Sequence, residues 1–183
     1  MLLVLKQLFK PMNRQVDWLL EYKLSGDPSH LEALVDLYAN DLLHFLQSIT
    51  DTESANDIAQ RTWLTLITKR HYYKQQGTPK AYIFTIARNA LHDDHRYRNK
   101  FVALEDDINL TTSSHSSDQE DAKHLYQTIC LLPFEQKEAL TLQLEGFSLE
   151  EIALITTTNQ ETIKTRLRYA KLSLKRHLGN LHE

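Results

Sequence analysis

The apolar positions of this chain recur with a helical period through nearly its whole length. Leu31, Leu34, Val35, Leu37, Tyr38, Leu42 and Phe45 form one broad stripe, the spacing of a helix buried on one side. The break Gly26-Asp27-Pro28 opens that helix, and an earlier one is expected from about Met12 to Lys23. A third starts near Ser54, with Ala55, Ile58, Ala59, Thr62, Trp63, Leu66 and Ile67 on its apolar face. Asp57, Gln60, Arg61 and Leu64 share its other face. Thr78-Pro79 marks a fourth start, because Thr can cap and Pro suits the first helical position. This helix is expected to reach about Lys100, with Ile83, Phe84, Ala87, Ala90 and Leu91 inward. Thr85, Arg88, Asn89, His92, Arg96 and Asn99 form its polar side.

The C-terminal third has sharper punctuation. A helix is expected over Asp118–Cys130, and Leu132-Pro133 ends it. The next covers Phe134 to Leu144, with Gly146 behind it as a stop. Ser148-Leu149-Glu150-Glu151 reads as a capping box, in which hydroxyl and carboxylate satisfy each other's backbone N–H groups. The short helix it starts meets the β-branched run Thr156-Thr157-Thr158, and Asn159 can cap a last helix from Gln160 to about Leu178. That helix carries Ile163, Leu167, Ala170, Leu174 and Leu178 on one stripe and Lys164, Arg168, Lys171 and Lys175 roughly 100° away. Two helices joined by a four-residue turn, the second with a basic outer face, have the pattern of a helix-turn-helix. The second helix would then place its first residues at base edges. Gln160 suits adenine, Glu161 suits cytosine N4, and Lys164 or Arg168 suits guanine or phosphate.

Composition narrows the picture. Four Gly and four Pro in 183 residues argue against a turn-rich β fold and for an all-α one. No apolar run is long enough to cross a bilayer as a helix, so no membrane insertion is expected. A single Cys130 excludes an intramolecular disulfide and fits a reducing cytoplasm. The net charge of −3 names no partner, so any affinity for nucleic acid must come from local charge. Charge is in fact segregated. Glu105, Asp106, Asp107, Asp118, Glu120 and Asp121 crowd one stretch that also holds Thr-Thr-Ser-Ser-His-Ser-Ser, a composition with almost nothing to bury. The expected organisation is two small helical domains, 1–101 and 122–183, joined by a flexible acidic linker over 102–121. A long surface loop within one domain is the alternative.

Catalytic chemistry has little to attach to. There is no glycine-rich phosphate loop, no Ser-His-Asp or Cys-His pattern and no paired buried carboxylates. His92 and His95 share a face, but further ligands at defined spacing are missing. No enzyme activity, metal or cofactor is expected.

In order and spacing, several segments resemble sigma factors of the extracytoplasmic-function group within the sigma-70 family. The resemblance spans about residues 20–178. Its clearest part is Leu132-Pro133 with Gln136-Lys137-Glu138, then Glu145-Gly146-Phe147-Ser148-Leu149-Glu150-Glu151-Ile152-Ala153, then Thr162-Ile163-Lys164-Thr165-Arg166-Leu167-Arg168-Tyr169-Ala170. Asp57-Ile58-Ala59-Gln60 and Ala81-Tyr82-Ile83-Phe84-Thr85-Ile86-Ala87-Arg88-Asn89, with Asp93 and Arg96 downstream, add to it. The resemblance implies a four-helix sigma domain 2 and a helix-turn-helix sigma domain 4. It implies that the protein binds core RNA polymerase, at the coiled coil of the largest subunit and the flap of the second-largest, and directs initiation at promoters.

It also implies roles for the faces above. Asp57, Gln60, Arg61 and Leu64 would bind core polymerase. Tyr72, Tyr73, Lys74, Lys80, Tyr82, Arg88, Asn89, His92 and Arg96 would take the single-stranded minus-ten element, where aromatic faces and a basic floor are needed. Gln160, Glu161, Lys164, Thr165, Arg168 and Lys171 would read the minus-thirty-five duplex. An anti-sigma factor is a plausible further partner on the same resemblance.

Three departures stand out. Arg61 replaces a usual acid, Tyr82 replaces a usual Trp, and Thr156-Thr157-Thr158-Asn159 lacks the usual turn glycine. If residue 157 needs positive φ, a β-branched Thr there is strained. Other readings are a stand-alone helix-turn-helix regulator, an all-helical interaction protein with solvated ridges, and a histidine-metal enzyme. Both DNA-binding readings need Lys164 and Arg168 to face outward, and the sigma reading adds Arg88 and Arg96.

Overall fold

A computed structural model describes residues 16–102, 128–129 and 131–179. The acidic stretch from 103 to 121, the residues before Val16 and most of the helix expected over Asp118–Cys130 lie outside the described residues. Within the described residues all regular structure is helical. The first unit holds α1 (Trp18–Ser25), α2 (Pro28–Gln47), α3 (Thr52–Lys69), a 3-10 turn at Arg70–Tyr72, and α4 (Pro79–Val102). The second holds α5 (Phe134–Leu144), α6 (Leu149–Thr156) and α7 (Gln160–Gly179).

Local chemistry sets the helix ends. Asp17 caps α1, Asp27 caps α2 with Pro28 at its first position, and Asp51 caps α3 through the Ser54 N–H. The cap of α3 thus falls three residues before the Ser54 expected to open it. Thr78 accepts from the Ala81 N–H at 3.2 Å and so starts α4 as its sequence suggests. The capping box at Ser148 and Glu151 is complete. Gly146, at φ 88°, ends α5 in a left-handed turn, and the Phe147 N–H reaches back to the Leu142 carbonyl at 3.2 Å. This is a Schellman closure. The end of α6 repeats it with the Thr158 N–H on the Ala153 carbonyl at 2.9 Å, but there Thr157 takes the left-handed position at φ 51°. The turn keeps its geometry without its glycine.

The apolar stripes fill the core much as their spacing suggests. Leu34, Leu42, Phe45, Ile58, Leu66, Ile83, Phe84 and Leu91 are buried in the first unit; Ile152, Ile155, Ile163, Leu167 and Ala170 are buried in the second. Each such Leu, Ile or Phe contributes roughly 1.5–3 kcal/mol on burial. Val35, Leu37 and Ile67 belong to the stripes but remain exposed.

The two units are packed against each other. One face of α4 covers α2 and α3, and another lies on α6. Phe84 joins both sides, with its ring 5.3 Å from Phe45 and 4.8 Å, edge-on, from Phe147.

Candidate nucleic-acid interface

Three faces carry the candidate residues. On α3, Asp57, Gln60, Arg61 and Leu64 are all exposed. Arg61 pairs with Asp57 one turn away at 3.0 Å, so the unusual cation is held within the stripe. Leu64 stands 60% exposed among these polar neighbours.

On α7, Gln160, Glu161, Lys164, Thr165, Arg168 and Lys171 are all exposed. Asn159 caps the helix through the Thr162 N–H at 2.7 Å. Ile163, Leu167 and Ala170 fix its back to the core, and α5 and α6 buttress it. Lys164 Nζ lies 2.6 Å from Glu161 Oε1, and the Arg168 guanidinium lies over the Tyr169 ring at 5.1 Å. Both contacts are on the surface, where such pairs contribute little to stability.

The third face runs from the 70–77 segment along α4, and it is divided. Tyr72, Lys74, Asn89 and Arg96 are exposed. Tyr73 is not: it is 1% exposed, its hydroxyl donates to Asp17 Oδ2 at 2.9 Å, and its ring meets Tyr82 edge-on at 4.9 Å. Burial and the Asp17 carboxylate push its phenol well above the ordinary range. Tyr73 is therefore a core anchor, with no free face for a base. Tyr82 is half-buried, and burial raises its phenol too.

Lys80, Arg88 and His92 are engaged by the second unit. Lys80 Nζ donates to the Glu145 carbonyl at 2.9 Å and pairs with Asp41 at 2.7 Å. Arg88 Nε donates to Glu138 Oε1 at 3.0 Å, with the Glu138 side chain fully buried. His92 Nε2 lies 3.3 Å from the same oxygen, and its ring meets Phe134 edge-on. Burial holds the His92 imidazole below its usual range; Glu138 opposes that and Arg88 reinforces it.

The outward orientation expected of Arg88 is thus corrected. Arg88 follows Phe84 by one turn, and the stripe that meets Phe147 continues through it. Twelve residues beyond Phe84, Arg96 has rotated about 120° away and returns to solvent. Arg96, Lys164 and Arg168 are exposed as expected.

Comparison with known proteins gives these faces a setting. The family model Sigma-70 region 2 matches residues 34–101, and Sigma-70, region 4 matches residues 123–174. The extracytoplasmic-function RNA polymerase sigma factor SigM of Bacillus subtilis is 29% identical over 152 residues, 79% of this chain and 93% of its own. The corresponding factor SigC of Mycobacterium tuberculosis is 26% identical over 155 residues, 81% and 83% of the two chains. Among solved structures, the sigma factor RpoE of Bartonella quintana, crystallised with the anti-sigma factor NepR, superposes with a TM-score of 0.71 at 26% identity, covering 81% of this chain and 96% of that one.

The chain belongs to the extracytoplasmic-function group of the sigma-70 family.

As a sigma factor it is a promoter-directing subunit of RNA polymerase. Its α4 lies in the region 2 match and α5 to most of α7 in the region 4 match, so the contacts around Arg88 join the two matched regions. The residues of region 4 that engage α4 were not foreseen as a group: Phe134 meets His92 and His95, Glu138 meets Arg88 and His92, and the Glu145 carbonyl accepts from Lys80. Part of the signal is present at positions 134 and 138, whose four-residue spacing places an aromatic and an acid on one face of α5. Among the described residues, no helix is long and apolar enough to cross a membrane.

Proposed function

We propose that the three faces divide the work of initiation. Asp57, Gln60, Arg61 and Leu64 on α3 grip the coiled coil of the largest polymerase subunit. Tyr72 and Tyr82, with Lys74, Lys80, Arg88, Asn89, His92 and Arg96, receive the non-template strand of the minus-ten element. Gln160, Glu161, Lys164, Thr165, Arg168 and Lys171 read the minus-thirty-five duplex in the major groove, with the rest of region 4 seated on the flap of the second-largest subunit. The protein acts in the cytoplasm without catalysis of its own. It has an anti-sigma factor as a further partner, as the Bartonella quintana relative does.

The observation that carries this reading is the α7 ridge, where all six candidates face solvent from a capped helix whose opposite stripe is buried. A rigid helix with donors on one side is what major-groove reading requires. A stand-alone regulator would use the same ridge but would leave the exposed α3 stripe without a role.

The test is reconstitution. Mixed with core polymerase, the chain is expected to co-elute and to start transcription from a cognate promoter. Tight duplex binding by the chain alone, with no association with core, would replace this reading by the regulator. Changing Gln60 and Leu64 together is expected to abolish co-elution while leaving the helical content unchanged.

A further inference from the structure

The chain before Val16 arrives at the rim of a cleft. Val16, the first described residue, lines that cleft together with Asp17 and with Tyr38 of α2. Across the seam between the two units, Glu145, Phe147 and Glu151 line it from the other side. Its volume is about 340 Å³, at the small end of the roughly 300–1,000 Å³ of ligand pockets. That is room for a few side chains of a peptide and too little for a folded partner.

The cleft combines apolar surface with uncompensated negative charge. Val16, Tyr38, Pro79 and Phe147 supply the apolar part. Asp17, Glu145 and Glu151 supply three carboxylates, against one cation, Lys80. Lys80 is already committed, to Asp41 at 2.7 Å and to the Glu145 carbonyl at 2.9 Å. Glu145 Oε1 meets His44 Nδ1 at 2.5 Å, and His44 is a cation only when protonated. Asp17 accepts from the Tyr73 hydroxyl and the Gln75 amide, and Glu151 from Ser148 and the Thr78 hydroxyl. These donors are neutral, so they satisfy the oxygens without cancelling their charge. Burial raises the Glu151 carboxyl, but the hydrogen bonds from Ser148 and Thr78 and the charge of Lys80 outweigh that and hold it below its usual range. It is therefore an anion at neutral pH.

The segment that leads into Val16 has the complementary chemistry. Leu8, Phe9, Pro11 and Met12 are apolar, Lys10 and Arg14 are basic, and no Asp or Glu occurs among residues 1–15. Arg14 stands two residues before Val16, at most roughly 7 Å of chain, and Lys10 six before it, at most roughly 22 Å. So short a tether holds the segment at an effective concentration on the order of millimolar at the cleft, and modest contacts suffice to seat it.

We propose that this cleft is a docking site for a basic, apolar peptide, and that residues 10–15 of this chain are its occupant. Arg14 supplies the positive charge that the carboxylates lack, and Met12 covers the apolar surface of Tyr38 and Phe147. The docking does not rest on the roles assigned to α3, α4 and α7.

The full chain is tested with Met12 replaced by the photoreactive amino acid benzoylphenylalanine, irradiated, and mapped by mass spectrometry. Attachment within the same chain, to peptides that hold Tyr38 or residues 145–151, is the expected result. Attachment elsewhere on the chain, attachment between chains, or none above the unirradiated sample would overturn the docking.

Hydrogen exchange reads the same contact without the label, in the unsubstituted chain and in Lys10→Glu combined with Arg14→Glu. A segment docked about nine-tenths of the time slows exchange of the amides it covers about tenfold. The double variant is expected to speed exchange over residues 145–148 by about three- to tenfold and to leave α7 unchanged. Equal exchange in the two chains would overturn the docking. Faster exchange throughout α5 to α7 would overturn it as well, because the substitutions would then have loosened the second unit as a whole.

Discussion

The cationic ridges of α4 and α7 begin from similar sequence and end in different surroundings. Each is a long helix with an apolar stripe and a row of basic residues about one quarter-turn away. On α7 the row is exposed throughout, and Lys164 pairs with Glu161 on the same helix. On α4 the row is split: Arg96 is in solvent, while Lys80, Arg88 and His92 are held by the other unit. The difference is one of helical phase. Ile163 and Leu167 turn the α7 stripe fully away from its basic row. Phe84 extends the apolar contact of α4 toward the side that carries Arg88. Basic residues on a helix thus acquire their surroundings from the nearest aromatic one turn away as much as from their own charge.

The largest test of this contrast is Arg88→Ala. It leaves Glu138 buried without its cation, a loss of about 3–5 kcal/mol for a fully buried pair. That loss is capped where opening of the seam relieves it. A clear fall in the thermal midpoint or an expanded chain is expected; an unchanged midpoint would make α4 as free as α7. Next in size are Lys164→Ala and Arg168→Ala. These are expected to weaken minus-thirty-five binding by about 1–3 kcal/mol where the contact is bidentate to a base, with no change in the midpoint. A uniform loss over all sequences with a shallower salt slope would assign them to phosphate instead.

Thr157→Gly follows. A β-branched residue in the left-handed region costs roughly 1–2 kcal/mol, so glycine is expected to stabilise the second unit by about 1 kcal/mol. Gly146→Ala in the matching turn is expected to do the reverse. Thermal melts of the two variants would read both signs, and a destabilised Thr157→Gly would show that the turn draws on contacts of the Thr side chain.

The smallest effect is on pH. Burial depresses His92, so as the pH falls below about 6.5 the unfolded chain takes the proton first. The contribution of His92 is therefore constant above that value and is lost from there toward the lowered native one. His92→Gln should flatten the profile in that interval, and a parent that gains stability on acidification would contradict the assignment. At more acid pH, Asp51 loses its own contribution. Burial raises its carboxyl, but the Ser54 N–H and Arg98 outweigh that and hold it at about 2.

Much of this was legible in sequence because helices are local. The Phe134–Leu144 helix, the Ser148 capping box, the Thr78-Pro79 start and the Asn159 cap all depend on residues within one turn of each other. The strain at Thr157 was legible too, since it follows from a missing glycine in a recognisable turn. What sequence did not supply was the relation between distant helices. Arg88 and Tyr73 both look like surface residues in their own segments. Arg88 is covered by Glu138, fifty residues away, and Tyr73 is drawn in by Asp17, fifty-six residues away. Such pairings are tertiary, and no local period encodes them.

The anchoring of Tyr73 has a consequence for its neighbour. Asp17 takes the Tyr73 hydroxyl and the Gln75 amide while capping α1, and Lys23 holds the Tyr73 carbonyl. Tyr72, 76% exposed, therefore projects from a fastened base. An aromatic ring on a slack tether would surrender its backbone freedom on each encounter with a flipped nucleotide, at about 1–2 kcal/mol per residue ordered. Here folding has already spent most of that entropy, and a base that stacks on Tyr72 meets a shelf that is already set.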